Sequence, residues 1–218
     1  MEKISFALIA SYTLLIPIGI GAFRYQKLNP VQKLGYQYLF VALIFQIIST
    51  VLNQMNQNNL PLIHIYSVVR FAFLSLIFKR LIKDSFISRV VFANIFFFLG
   101  FSLVNALVFQ DIFSFNSNSL IVESILLIIY SVVYLFQILR EMQIQFVERF
   151  YGFWLVSGIL YYFAGNFFLF SLSNLLLESS FYSFSEYWHI HSVNLILFYL
   201  SFSVAFLLKR MTPSVLLR

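Results

Sequence analysis

The chain has 218 residues, of which 61% are hydrophobic, 20% aromatic and only 10% charged. A water-soluble domain carries about 25% charged residues, and 14 basic plus 8 acidic side chains cannot cover so apolar a chain in water. Composition therefore points to an all-α integral membrane protein and excludes disorder and repeat solenoids, while the absence of cysteine excludes disulfides and thiolate chemistry.

A helix needs about 20 predominantly apolar residues to cross roughly 30 Å of hydrocarbon. Seven segments meet that length, at approximately 4–23, 34–53, 61–80, 90–109, 119–139, 150–170 and 190–208. Apolar–polar alternation is absent, which argues against a β-barrel. The expectation is one seven-transmembrane-helix bundle over residues 1–218, with connections too short for a soluble domain.

The first span follows Lys3 and exceeds the apolar stretch of a secretory signal, so it is read as a retained helix. Pro17, with Gly19 and Gly21 beside it, predicts a kink there. Asn29-Pro30 breaks the chain before the second span. That span carries a polar stripe, Gln46, Ser49, Thr50, Asn53, Asn56 and Gln57, on one helical face. The apolar run Leu39–Phe45 ends the stripe at mid-depth. Asn58-Asn59-Leu60-Pro61 reads as a tight turn with proline opening the third span. His64 lies near the start of that span, and Arg70 lies about ten residues in, near mid-membrane at 1.5 Å per residue.

The fourth span places Asn94 and Asn105 on one face. The fifth aligns Glu123, Tyr130 and Tyr134, and the sixth brings Gly158, Tyr162, Gly165 and Asn166 to a common side. Residues 171–189 form the longest outer connection. Its aromatic density from Ser180 to Trp188 suits an interfacial hairpin or short helix. The seventh span follows His189 and aligns His191, Asn194 and Ser201.

Orientation follows from the basic residues. Arg24, Lys27 and Lys33, then Lys79, Arg80, Lys83 and Arg89, then Arg140 and Arg149, and finally Lys209, Arg210 and Arg218 all fall on the odd connections and the C-terminal tail. That is 3 + 4 + 2 + 3 = 12 of the 14 basic residues. The N-terminus is expected outside and the C-terminus inside, and twelve charges outvote Lys3. The net charge of +6 then reflects attraction to the anionic inner leaflet, and no nucleic-acid partner is implied.

Polar groups in hydrocarbon should face the bundle interior. Arg70 and Glu123 are the acid and base placed within the spans. An isolated buried charge is costly, so the two are expected to compensate each other, as a structural ion pair or as part of an anion or proton-linked site. His64, His189 and His191 are expected at the outer face. Together with Glu123, Asn166 and Asn194 they would line one outward cavity. Zinc held by His64, His191 and Glu123 would need three helices to converge, and hydrogen-bonding histidines are the simpler expectation, so neither metal nor cofactor is implied.

His64-Ile65-Tyr66-Ser67-Val68 and His189-Ile190-His191-Ser192-Val193 echo each other at the starts of the third and seventh spans. A duplicated three-helix unit would leave that mark, and so would chance in a chain with few residue types. The segment Asn58-Asn59-Leu60-Pro61-Leu62-Ile63-His64-Ile65-Tyr66 and the segment Trp188-His189-Ile190-His191-Ser192 resemble a family of unannotated bacterial seven-helix membrane proteins. The resemblance implies the same architecture along the whole chain and no particular reaction. Members of that family commonly carry an acidic residue near the position of Arg70, where this chain departs.

The seventh span lacks a lysine for a retinal Schiff base, and neither Ser-His-Asp sets nor His-Glu-x-x-His runs occur, so no catalytic set can be named. The leading expectation is a membrane sensor or signalling accessory with an outward polar pocket. It would couple to a cytoplasmic or membrane partner, or to further copies of itself as a homo-oligomer. The alternative is a small transporter or channel built on the duplicated unit. A bias to Phe, Ile and Asn suits an AT-rich bacterial genome and hence the bacterial inner membrane.

Overall fold

The computed structural model describes residues 6–140, 146–178 and 184–208. Its helices are α1 (Phe6–Tyr12), α2 (Leu15–Arg24), α3 (Pro30–Gln54), α4 (Leu60–Leu81), α5 (Ser85–Val104), α6 (Ser117–Arg140), α7 (Tyr151–Glu178) and α8 (Phe184–Leu207), with no strand among the described residues. By length and composition seven helical segments can cross a membrane, the first extending from Phe6 to Lys27 and combining α1, α2 and the 3-10 turn Tyr25–Lys27. Below, the Asn59 end is the one where α4, α6 and α8 begin, and the Lys83 end is the opposite one.

The break in the first span lies at Thr13 and Leu14 rather than at Pro17 itself. Proline cannot donate to the carbonyl four residues back, and its ring crowds that carbonyl. Here that carbonyl belongs to Thr13, which instead accepts from Ile16 N at 3.1 Å. The distortion therefore appears one turn ahead of the proline.

The second span starts four residues earlier than hydropathy indicates, because Asn29 and Gln32 form a reciprocal cap. Asn29 Oδ1 accepts from the backbone of Val31 and Gln32, while Asn29 N donates to Gln32 Oε1. Gln32 Nε2 also donates to the carbonyls of Ala205 and Leu208, at 2.6 and 3.1 Å. One side chain thus starts α3 and satisfies carbonyls that the end of α8 leaves without helical partners. The far end of α3 closes on Asn56 in the left-handed region at φ 55°. Gln57 N donates to Leu52 O and Asn56 N to Asn53 O, the paired bonds of a Schellman motif. Asn56 and Gln57 accordingly lie beyond the helix and leave the expected polar stripe.

Asp84 caps α5 by accepting from the backbone of Phe86 and Ile87. A π-helical turn, Asn105–Phe109, ends the same span. The connection expected over 171–189 is mostly helix: α7 continues to Glu178 and α8 begins at Phe184. Of the expected interfacial hairpin, residues 179–183 lie outside the described residues.

α7 packs between α6 and α8, α4 packs against α3, α5 and α6, and α1 and α2 lie along α8. The α7–α8 seam is built on glycine. A Cβ on Gly158 would overlap the Ser201 side chain, and one on Gly165 would meet Asn194 Nδ2 at 2.8 Å. Seven residues forward on α7 match seven residues back on α8, the register of antiparallel helices whose backbones approach through small residues. Toward the Lys83 end the interior is filled by Leu74, Ile77, Phe78, Val156, Phe202 and Phe206, each fully buried.

Candidate ligand-binding cavity

Arg70 stands ten residues into α4 and Glu123 six residues into α6. At 1.5 Å per residue these positions are about 15 Å and 9 Å below the Asn59 end. Side chains on a helix lean toward its N-terminus, so Arg70 reaches up to the level of Glu123. Its Nε donates to Glu123 Oε1 at 2.7 Å and its Nη2 to Oε2 at 2.6 Å. Arg70 is 6% exposed and Glu123 fully buried. The rings of Tyr66, Tyr162 and Phe163 surround the guanidinium carbon at 5.2, 5.9 and 5.2 Å. The compensation expected from the sequence is a direct, two-bond ion pair.

Above this pair lies a cavity of about 220 Å³. Among the described residues that line it, Arg70 is the only formally charged one, and ten of the eighteen are rings. The Tyr38 and Tyr66 hydroxyls meet at 3.2 Å beside it. Tyr38 in turn rests on Phe198 and Phe202, with ring centroids 6.3 and 5.9 Å away. Gln46 and Ser49 bring the stripe of the second span to the wall. Thr50 bonds back to its own helix at Gln46 O, and Asn53 is exposed.

His191 lines the cavity among Trp188, Tyr162 and Phe170, with ring centroids at 4.9, 5.8 and 6.0 Å. Its Nδ1 lies 3.0 Å from Asn166 Oδ1, and Asn166 Nδ2 donates to Tyr162 O at 2.7 Å. With the amide so oriented, Oδ1 is the acceptor and Nδ1 carries the proton. In the neutral ring Nε2 is then an acceptor.

The remaining residues selected from the sequence are placed elsewhere. His64 Nε2 donates to Ser114 O at 3.2 Å, against the connection before α6. His189 is exposed and packs edge-on to Phe6. Asn194 is buried at the α7–α8 seam facing Gly165. Glu123 holds Arg70 from behind and is not part of the wall. The single cavity expected to gather all three histidines, Glu123, Asn166 and Asn194 is therefore not what the chain forms: Arg70 and His191 reach it, and Glu123 and Asn166 orient them. The echoed openings of α4 and α8 also differ, since His64 bonds to a loop carbonyl and His191 to a side chain of α7.

Sequence reading missed a polar network at the Asn59 end. Asn105 Nδ2 faces Gln110 Oε1, Asn116 Oδ1 and Ser119 Oγ at 3.0, 3.3 and 3.4 Å, and Asn116 Nδ2 donates to Ser67 Oγ at 3.1 Å. This network joins α4, α6 and the π-turn beside Phe115, a cavity-lining residue. Asn116 sits in a loop, where no helical period marks it. Tyr38 and Tyr66 carried a usable signal, because buried tyrosine hydroxyls need partners.

No protein-family model, curated protein or solved structure matches this chain; the cavity is understood through its own geometry.

Proposed function

We propose that the chain is a multi-pass protein of the bacterial inner membrane, N-terminus outside, acting as a membrane sensor or signalling accessory. A small molecule enters from the Asn59 end and settles among Arg70, His191 and the surrounding rings. Its occupancy alters the packing of α4, α7 and α8, and a membrane or cytoplasmic partner reads the change at the basic end. The same proposal carries the likeness to bacterial seven-helix proteins.

One observation supports a sensor over a transporter. The cavity stops at Tyr38 and Phe198, and beyond them the bundle interior is solid with side chains. A close-packed interior transmits displacement but gives no continuing polar path. The test is ligand screening on the full chain in lipid nanodiscs, paired with flux in sealed proteoliposomes. Saturable binding without flux is expected, whereas uptake of the bound compound would replace this reading with the small transporter. Reporter fusions after Arg89 should be cytoplasmic and after Ser117 external, and the reverse pattern would invert the membrane orientation.

A further inference from the structure

We infer that the cavity selects an uncharged, single-ring compound with a hydrogen-bond acceptor at one edge and a donor at another. This rests on reading the cavity as a ligand site and adds the chemistry of its occupant.

Charge is the first argument. Among the described residues Arg70 is the only charged side chain in the wall, and Glu123 already occupies its Nε–Nη2 edge with two hydrogen bonds. The pair sums to zero. An anionic ligand would put a second negative charge beside a fully buried carboxylate, in surroundings too apolar to screen it. A cationic ligand would need that carboxylate, which lies behind the guanidinium and does not reach the wall. The aromatic faces nearest Arg70 are already turned to its own cation. A neutral molecule adds no uncompensated charge.

Hydrogen bonding sets the edges. A guanidinium has five N–H donors, and Glu123 takes two, leaving three that face the Tyr66 and Tyr162 hydroxyls and the cavity. A ligand carbonyl suits that side, where the Tyr38 and Tyr66 hydroxyls also converge. His191, another residue of the wall, has its Nδ1 proton committed to Asn166, so its other ring nitrogen, Nε2, suits a ligand N–H or O–H. Size and shape set the body. A cavity of about 150 Å³ holds benzene, and this one, about 220 Å³ and mostly ring-lined, accepts one planar ring with a small substituent.

Benzamide, benzoate and benzamidine share a ring and a planar substituent but are neutral, anionic and cationic, so they isolate the charge preference. Each is titrated into the full chain in nanodiscs, following thermal unfolding and the fluorescence of Trp188, which lines the cavity. Benzamide is expected to bind saturably at millimolar concentration, with benzoate and benzamidine each at least roughly tenfold weaker. Leu195→Trp, which fills the cavity, should abolish benzamide binding. In Glu123→Gln the site gains a net positive charge and benzoate should become the preferred ligand. The wild-type series decides the inference even if that variant does not fold. Equal or tighter binding of benzoate or benzamidine to the wild type overturns it while leaving a ligand cavity in place. So does failure of all three when other screened compounds bind and are blocked by Leu195→Trp. If no compound is blocked by Leu195→Trp, the sensor reading falls as well.

Discussion

Arg70 and Glu123, 53 positions apart in the chain, meet edge-on through two hydrogen bonds of 2.7 and 2.6 Å inside the bundle. The pair holds α4 against α6 and presents Arg70, but not Glu123, to the cavity wall. Either charge alone would be stranded among Tyr66, Tyr162 and Phe163.

Breaking such a pair from one side costs about 3–5 kcal/mol, whereas replacing both partners with neutral groups is far milder. Glu123→Gln and Arg70→Met should each lower stability by that order in detergent unfolding. The double variant should recover much of the loss, giving a coupling well above the few tenths expected of independent sites. Additive losses would mean that the two side chains do not depend on each other.

The glycine seam gives a second expectation. Gly158→Ala would drive a methyl group into the Ser201 side chain, and overpacking of this kind costs about 1–3 kcal/mol. Ser201→Gly should restore much of the stability by removing the obstruction, despite its own cost in helix propensity of about 1 kcal/mol. Gly100, inside α5, has open space around it, so Gly100→Ala should be neutral or slightly stabilising. Equal sensitivity at 100 and 158 would contradict the close approach of α7 and α8.

The seven spans were legible because each depends on a local property, about 20 apolar residues in a row. Their boundaries were less so, since caps set them: Asn29 with Gln32 pulled α3 forward, and Asn56 ended it. The ion pair was also legible, because a charge in hydrocarbon must find its opposite and the spans offered Glu123. The cavity was not. Among 29 Phe and 13 Tyr no ring stands out by type or spacing, and only the packing of α3, α4, α7 and α8 selects Tyr38, Tyr66, Phe170 and Phe198. The histidines show the same limit. His64 and His191 sit in similar local sequences, but their partners, Ser114 and Asn166, come from other parts of the chain.

Gln32 offers a test that separates its two roles. Its Oε1 caps α3, and its Nε2 donates to the carbonyls of Ala205 and Leu208. Gln32→Glu keeps the capping acceptor but turns a carboxylate oxygen toward two carbonyls at the end of α8. Loss of a cap alone costs about 0.5–2 kcal/mol. If the tie to α8 matters, Gln32→Glu should be at least as damaging as Gln32→Ala, and hydrogen exchange should quicken in the last turn of α8. A milder effect for Gln32→Glu would assign the residue to capping alone.

Asn166 fixes both the tautomer and the tilt of His191, so it should govern binding without touching the ligand. Its amide spans Tyr162 O on its own helix and His191 Nδ1 on α8. Asn166→Leu removes the acceptor and leaves a part-buried ring N–H without its partner, at a cost of up to about 1–3 kcal/mol. His191→Phe keeps an aromatic body against Trp188, Tyr162 and Phe170 but orphans the Asn166 carbonyl, with a similar cost. The two losses describe one hydrogen bond, so the double variant should be less destabilised than their sum. Stability alone would not distinguish positioning from packing. Nitrogen chemical shifts of the His191 ring should report a proton on Nδ1 in the wild type and a redistribution toward Nε2 in Asn166→Leu. Benzamide affinity should fall in step with that redistribution, because a protonated Nε2 can no longer accept from the ligand. An unchanged ring tautomer in Asn166→Leu would show that His191 is oriented by its aromatic neighbours instead.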